Sequence, residues 1–149
     1  LGEPLFSSLE SDLSRALFGI PSVKAVEFGS GFHGCSVHGS ENNDPYLLEK
    51  GTVITRSNNS GGILGGLSTG KPLAVRIGFK PPSSIAQIQE TLDLSDGSQA
   101  KLKVPGRHDP CVVPRAPPVV EAIVSLVLAD HALRHGLISA SHLGVKQHS

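Results

Sequence analysis

The sequence predicts an α+β fold. Three patterns carry that prediction. Leu5, Leu9, Leu13, Ala16, Leu17 and Ile20 recur at three- and four-residue spacing, which is the mark of an amphipathic helix. Leu73, Val75, Ile77 and Phe79 alternate with Ala74, Arg76 and Gly78, which is the period of a strand. Residues 119–134 are apolar around most of a helical circumference. At 149 residues the chain is long enough for one domain with its own core.

Taken in order, the first helix opens near Pro4 and is stopped by Gly19 and Pro21. Val23–Phe28 reads as a strand, broken by Gly29-Ser30-Gly31-Phe32. Residues 34–59 are polar and irregular, with Asn42-Asn43-Asp44-Pro45 as the strongest turn signal. Gly61, Gly62, Gly65, Gly66 and Gly70 form one compact loop before the alternating strand. Lys80-Pro81-Pro82-Ser83-Ser84 ends that strand in a rigid turn. Residues 86–104 are weakly patterned, with a strand pair expected around Asp96-Gly97. Pro117 and Pro118 suit the first turn of a second helix over Val119–Arg134, and its apolar circumference predicts that it is buried. A polar tail, 136–149, is expected to fray.

Composition narrows the function. Lys plus Arg and Asp plus Glu balance at 13 each, which argues against a nucleic-acid binder with a broad basic surface and against a polybasic membrane anchor. The longest apolar run, Ala122–Ala129, falls short of membrane-spanning length. Two cysteines, Cys35 and Cys111, are too few for a disulfide scaffold and favour a reduced intracellular compartment. Leu1 followed by Gly2-Glu3-Pro4 reads as mid-protein sequence, so the chain is expected to be a piece of a longer polypeptide.

Three segments suggest chemistry. In Ser57–Gly66, SNNSGGILGG, closely spaced glycines let backbone N–H groups converge on an anion or a flat ring, although a flexible surface loop has the same composition. The segment matches neither the dinucleotide fingerprint nor a P-loop. FKPPSS, 79–84, sets a Lys and two hydroxyls on a stiff turn suited to a phosphate or a carbonyl-rich ring; an ordinary strand exit is the plainer alternative. Arg107, His108 and Asp109 stand side by side in GRHDPC, joining a planar cationic fork to two proton-transfer groups. The alternative there is a buried ion pair bracing the loop.

Other candidates are weaker. His33, Cys35 and His38 match no common zinc spacing, and no metal site is expected. Cys111 reads as a buried structural thiol. His131 and His135, four apart, read as a helix surface or a packed pair.

GRHDPCVVPRAPPVVEA resembles the C-terminal signature of the chorismate synthase family, as do SNNSGGILGGLSTGKP and GFKPPSSI. LGEPLFSSLESDLSRALFGIPSVKAVEFGSGF and HGSENNDPY resemble the matching upstream part, in the family's order. Pro117 stands where the family often has Val, and Pro82 where it often has Thr; neither change removes a reactive side chain.

The resemblance implies a β-α-β sandwich in which helices lie between sheets, with residues 1–135 as the C-terminal portion of the domain. It implies the conversion of 5-enolpyruvylshikimate 3-phosphate to chorismate by a 1,4-anti elimination that needs reduced FMN. It implies catalytic residues Asp109, as the acid–base group working with the flavin, and His108, in support. Arg107, Gly65, Lys80, Pro81, Pro82, Ser83, Ser84, Pro21 and Ser22 would bind FMN. Homotetramers, a cytoplasmic location, and flavin reduction either by NADPH on the protein or by an external system also follow from the family. The family's two mechanistic histidines belong to its N-terminal portion, so an inactive FMN-binding or assembly fragment is the alternative.

Overall fold

The computed structural model describes residues 1–139. A 3-10 turn at Leu5–Ser7 leads into helix α1, Leu9–Leu17. Ser8 is extended, and its hydroxyl accepts the N–H of Ser11 at 3.1 Å, so it caps α1 and delays the helix start predicted near Pro4. Glu10 and Asp12 in the first turn and Arg15 in the last suit the helix dipole.

Strand β1, Val23–Phe28, follows α1 directly. A single helical turn, α2, spans Gly39–Asn42. Two hairpins come next: β2, Tyr46–Glu49, with β3, Thr52–Thr55, then β4, Ile63–Leu64, with β5, Leu67–Ser68. Strand β6, Val75–Phe79, pairs antiparallel with β1, from Val23 opposite Phe79 to Phe28 opposite Val75. A bulge between Val23 and Ala25 lets the inward side chains stay on one face. The expected strand pair around Asp96-Gly97 is β7, Gln89–Leu92, with β8, Gln99–Leu102. Helix α3, Ala116–Arg134, closes the described chain, with prolines in its first turn.

The core lies where α1, the β1–β6 sheet and α3 meet. Leu9, Leu13, Leu17, Ile20, Val23 and Ile63 are its buried centre. Val75, Ile77 and Phe79 from β6, and Val120, Ile123 and Val127 from α3, pack against it.

Three expectations need correction. The supposedly irregular 34–59 region contains α2 and the β2–β3 hairpin. Lys50 (φ 49°) and Gly51 (φ 81°) both take left-handed conformations, as a two-residue hairpin turn requires. All of β2 and half of β3 are exposed, so burial imposes no clear alternation on their sequence. The second correction concerns α3, which is not buried all round. Only Ala116 and His131 are buried in it, while Leu126 is 67% exposed. One face packs on the core and the other lies open among the described residues. By length and hydropathy alone, Val113–Arg134 could also cross a membrane, contrary to the expectation that no segment reaches that length. Of the tail expected to fray, 136–149, Gly136, Leu137 and Ile138 bond back to Leu133 and Ala132, and residues 140–149 lie outside the described residues.

Candidate functional site

The segments singled out in the sequence are positioned by β6 and by the loops at its two ends. Lys80 leaves the C-terminal end of β6, and its N–H donates to the Ser22 carbonyl at 2.8 Å. Ser22 is a non-glycine residue at φ 72°, a left-handed conformation that turns its carbonyl toward Lys80. Pro21 and Ser22 are thereby held beside the Lys80–Ser84 turn. Pro81 is exposed and Pro82 half-buried. The Ser83 carbonyl accepts from the Gln89 amide at 3.4 Å.

The same turn reaches the Arg107-His108-Asp109 loop. Ser84 Oγ and His108 Nδ1 are 3.2 Å apart, and His108 Nε2 lies 2.9 Å from the Val104 carbonyl oxygen. A carbonyl only accepts, so Nε2 carries the proton. In the neutral ring Nδ1 then accepts from the Ser84 hydroxyl. His108 thus ties the two loops together with both ring nitrogens engaged.

Arg107 is exposed, and Asp109 is half-exposed. Asp109 Oδ2 accepts from Arg115 Nη1 at 3.3 Å. Both side chains are open to water, so this pair orients the carboxylate more than it stabilises the fold. A buried ion pair bracing the loop is therefore not what the structure contains. Cys111, expected to be buried, is exposed on the same loop, because residues 109–111 pack into no core.

Gly65 stands apart from this group. It forms the β4–β5 turn with Gly66, whose carbonyl accepts the Leu9 N–H at the start of α1. Ala74, just before β6, bonds to Gly61 and to Gly29, which sets the glycine segment at the opposite end of β6 from Lys80. Gly65 has φ 60°, and no atom lies within 4 Å of the place a Cβ would take. Its outer face is open to the approach of a flat group.

The glycine segment is held by a residue that local patterning did not single out. Asp44 Oδ1 accepts from Ser57 Oγ at 2.6 Å and from the Asn59 N–H at 2.7 Å, and Oδ2 accepts from the Ser60 N–H at 2.9 Å. Partial burial pulls the carboxyl pKa upward. The hydrogen bonds from Ser57, Ser60 and Asn59 outweigh it and bring the pKa from 3.8 down to about 2. Asn42-Asn43-Asp44-Pro45 was legible as a turn, but Asp44's partners lie 13 to 16 residues downstream, beyond any local pattern.

A second cluster lies in the core. Asp12 Oδ2 accepts from His131 Nε2 at 2.9 Å and from Arg134 at 3.3 Å, and Oδ1 accepts from Arg15 at 2.9 Å. His131 is fully buried, and its ring stacks on His135 with centroids 6.2 Å apart. The two histidines are a packed pair, and His131 does not form part of the helix surface. Arg115 and Asp12 also went unread in the sequence, since each acts through a partner brought close by folding.

The chain is similar to known proteins in both sequence and overall structure. The chorismate synthase family model matches residues 1–133. The chain is 52% identical over 143 residues to a chorismate synthase of Archaeoglobus fulgidus, covering 96% of this chain and 40% of that protein. It is 53% identical over 138 residues to a chorismate synthase of Chloroflexus aurantiacus, covering 92% of this chain and 38% of that protein. A crystal structure of chorismate synthase superimposes with a TM-score of 0.70 at 28% identity, covering 91% of this chain and 34% of that one. The chain thus spans about 40% of the length of the curated relatives it matches.

Proposed function

The chain belongs to the chorismate synthase family, and we propose that it forms the flavin-binding and acid–base portion of an enzyme converting 5-enolpyruvylshikimate 3-phosphate to chorismate and phosphate. The observation that carries this reading is the Ser84–His108 hydrogen bond, which joins the Lys80–Ser84 turn to the Arg107–Asp109 loop. Two separate family signatures meet at that bond.

The residues fit a flavin mononucleotide. Lys80 and Arg107 are exposed cations suited to a phosphate or to an anionic reduced ring. The Ser83 and Ser84 hydroxyls add donors. Gly65, toward the other end of β6, offers backbone with no side chain in the way, and the Ser22 carbonyl fixes the start of the lysine turn. Reduced FMN, when bound, supplies the electron density that helps expel phosphate in a 1,4-anti elimination with no net redox change. The chain's own residues place, charge and deprotonate. Asp109, oriented by Arg115, is the group that accepts the substrate proton. His108 has both ring nitrogens engaged and positions the loop. The enzyme class is a carbon–oxygen lyase acting on a phosphate ester, cytoplasmic and homotetrameric as in the family.

A second reading is favoured by the share of its relatives that the chain spans, 38–40%. On that reading the chain binds FMN or assists assembly without turning over substrate by itself. Fluorescence quenching of FMN and phosphate release from the enolpyruvyl substrate, each measured on this chain and on a complete polypeptide carrying it, separate the readings. The expected result is turnover in the complete polypeptide and none in the chain alone. A complete polypeptide that neither quenches FMN nor releases phosphate would overturn the proposal.

A further inference from the structure

We infer that Asp44 is the positioning residue of the glycine hairpin that faces the flavin, a role that rests on the flavin reading above. Its carboxylate is fully committed. Both oxygens accept, one from the Ser57 hydroxyl and the Asn59 N–H, the other from the Ser60 N–H. Such charge-assisted bonds are stronger than neutral ones, and only a group with two acceptor oxygens makes all three.

The clamped residues lead straight into the glycine hairpin. The Asn58 carbonyl accepts the Gly61 N–H at 3.0 Å, and the Gly61 carbonyl accepts the Ala74 N–H at 3.0 Å. From the other side, the Asn59 carbonyl accepts the Ser30 N–H at 2.8 Å, and the Asn59 amide donates to the Asn42 carbonyl at 3.0 Å. Gly29 presses so close that a Cβ there would overlap the Asn59 carbonyl. The segment before Gly61 is therefore gripped between the end of β1 and Asp44. Gly65 follows four residues later with open space on its outer face, so that grip sets the entry to its hairpin, while the Gly66 carbonyl ties the turn itself to Leu9.

Asp44 touches none of the groups assigned to proton transfer, so its loss is expected in flavin affinity rather than in the chemical step. Asp44→Asn keeps the shape but turns an N–H2 toward either the Ser60 N–H or the pair of donors at the other oxygen. Made in a complete chorismate synthase polypeptide carrying this segment, it should remove amide-exchange protection at Asn59 and Ser60. The dissociation constant for FMN should rise by about tenfold to a hundredfold, the range set by losing a hydrogen bond to a charged group. The flavin concentration for half-maximal turnover should rise with it, while kcat at saturating FMN stays within about threefold. A purely structural role would lower the amount of folded protein and leave the affinity of the remainder unchanged. Ser57→Ala removes one of the three bonds and should give a smaller shift in the same direction; it decides the matter should Asp44→Asn not fold. Unchanged FMN affinity in the folded variants, or a fall in kcat at saturating FMN without a change in affinity, would overturn the role. An unsubstituted polypeptide that binds no FMN would overturn the flavin reading itself, and this role with it.

Discussion

Asp109 and Asp44 are both carboxylates on loops, yet their surroundings fit them for opposite work. Asp44 accepts three short hydrogen bonds, while Asp109 accepts one of 3.3 Å from an exposed arginine. A proton acceptor needs free lone pairs and access, and Asp109 has both. Asp109→Asn in the complete enzyme should keep FMN binding and cost about a hundredfold or more in kcat; turnover at the native rate would remove it from the reaction. Asp44 makes a different prediction, in pH. Its folded pKa of about 2 lies below the ordinary 3.8, so between those values the unfolded chain holds a proton that the folded chain rejects. Its stabilisation is complete above the unfolded value and drains away as pH falls toward 2. Acid unfolding followed by circular dichroism should be less steep in that window for Asp44→Asn than for the native chain. In the core, Asp12→Ala strips the acceptor from fully buried His131 and should cost about 3 kcal/mol, read as a lower urea midpoint.

Among the elements, those that bury one face on the core were readable in the sequence. Strand β1 is observed as expected over Val23–Phe28, and β6 shows the half-buried, exposed alternation its residues predict. Both lie over α1, whose Leu9, Leu13 and Leu17 are wholly buried. Leu13→Ala should therefore destabilise by about 2–5 kcal/mol, a transfer term plus a cavity term, measurable by chemical denaturation. Elements without a buried face were not readable. The β2–β3 hairpin depends on the backbone conformations of Lys50 and Gly51, and Lys at the first turn position hides that signal. The candidate site divides the same way. Arg107, His108, Asp109 and the Lys80–Ser84 turn stand out because reactive side chains and prolines crowd into few positions. Asp44, Asp12 and Arg115 do not, because each acquires its meaning from a residue supplied by another element or turn.

Over the whole molecule, α1 and the β1–β6 sheet cover only one side of α3. Val119, Leu126 and Leu133, spaced seven apart, are 47%, 67% and 36% exposed. The 149-residue chain alone should accordingly bind an apolar dye such as ANS, and Leu126→Lys should lower that signal without lowering the urea midpoint. A signal unchanged by the substitution would place the apolar surface elsewhere.

The buried bond between Asp12 and His131 joins residues 119 apart in sequence. During synthesis, the first helix therefore emerges from the ribosome long before its partner exists. Until α3 is translated, Leu9, Leu13 and Leu17 have only the β1–β6 ribbon and Ile63 of the glycine hairpin to shelter them. The nascent chain is expected to be a chaperone client over that interval, with the collapse of this core postponed until α3 has emerged.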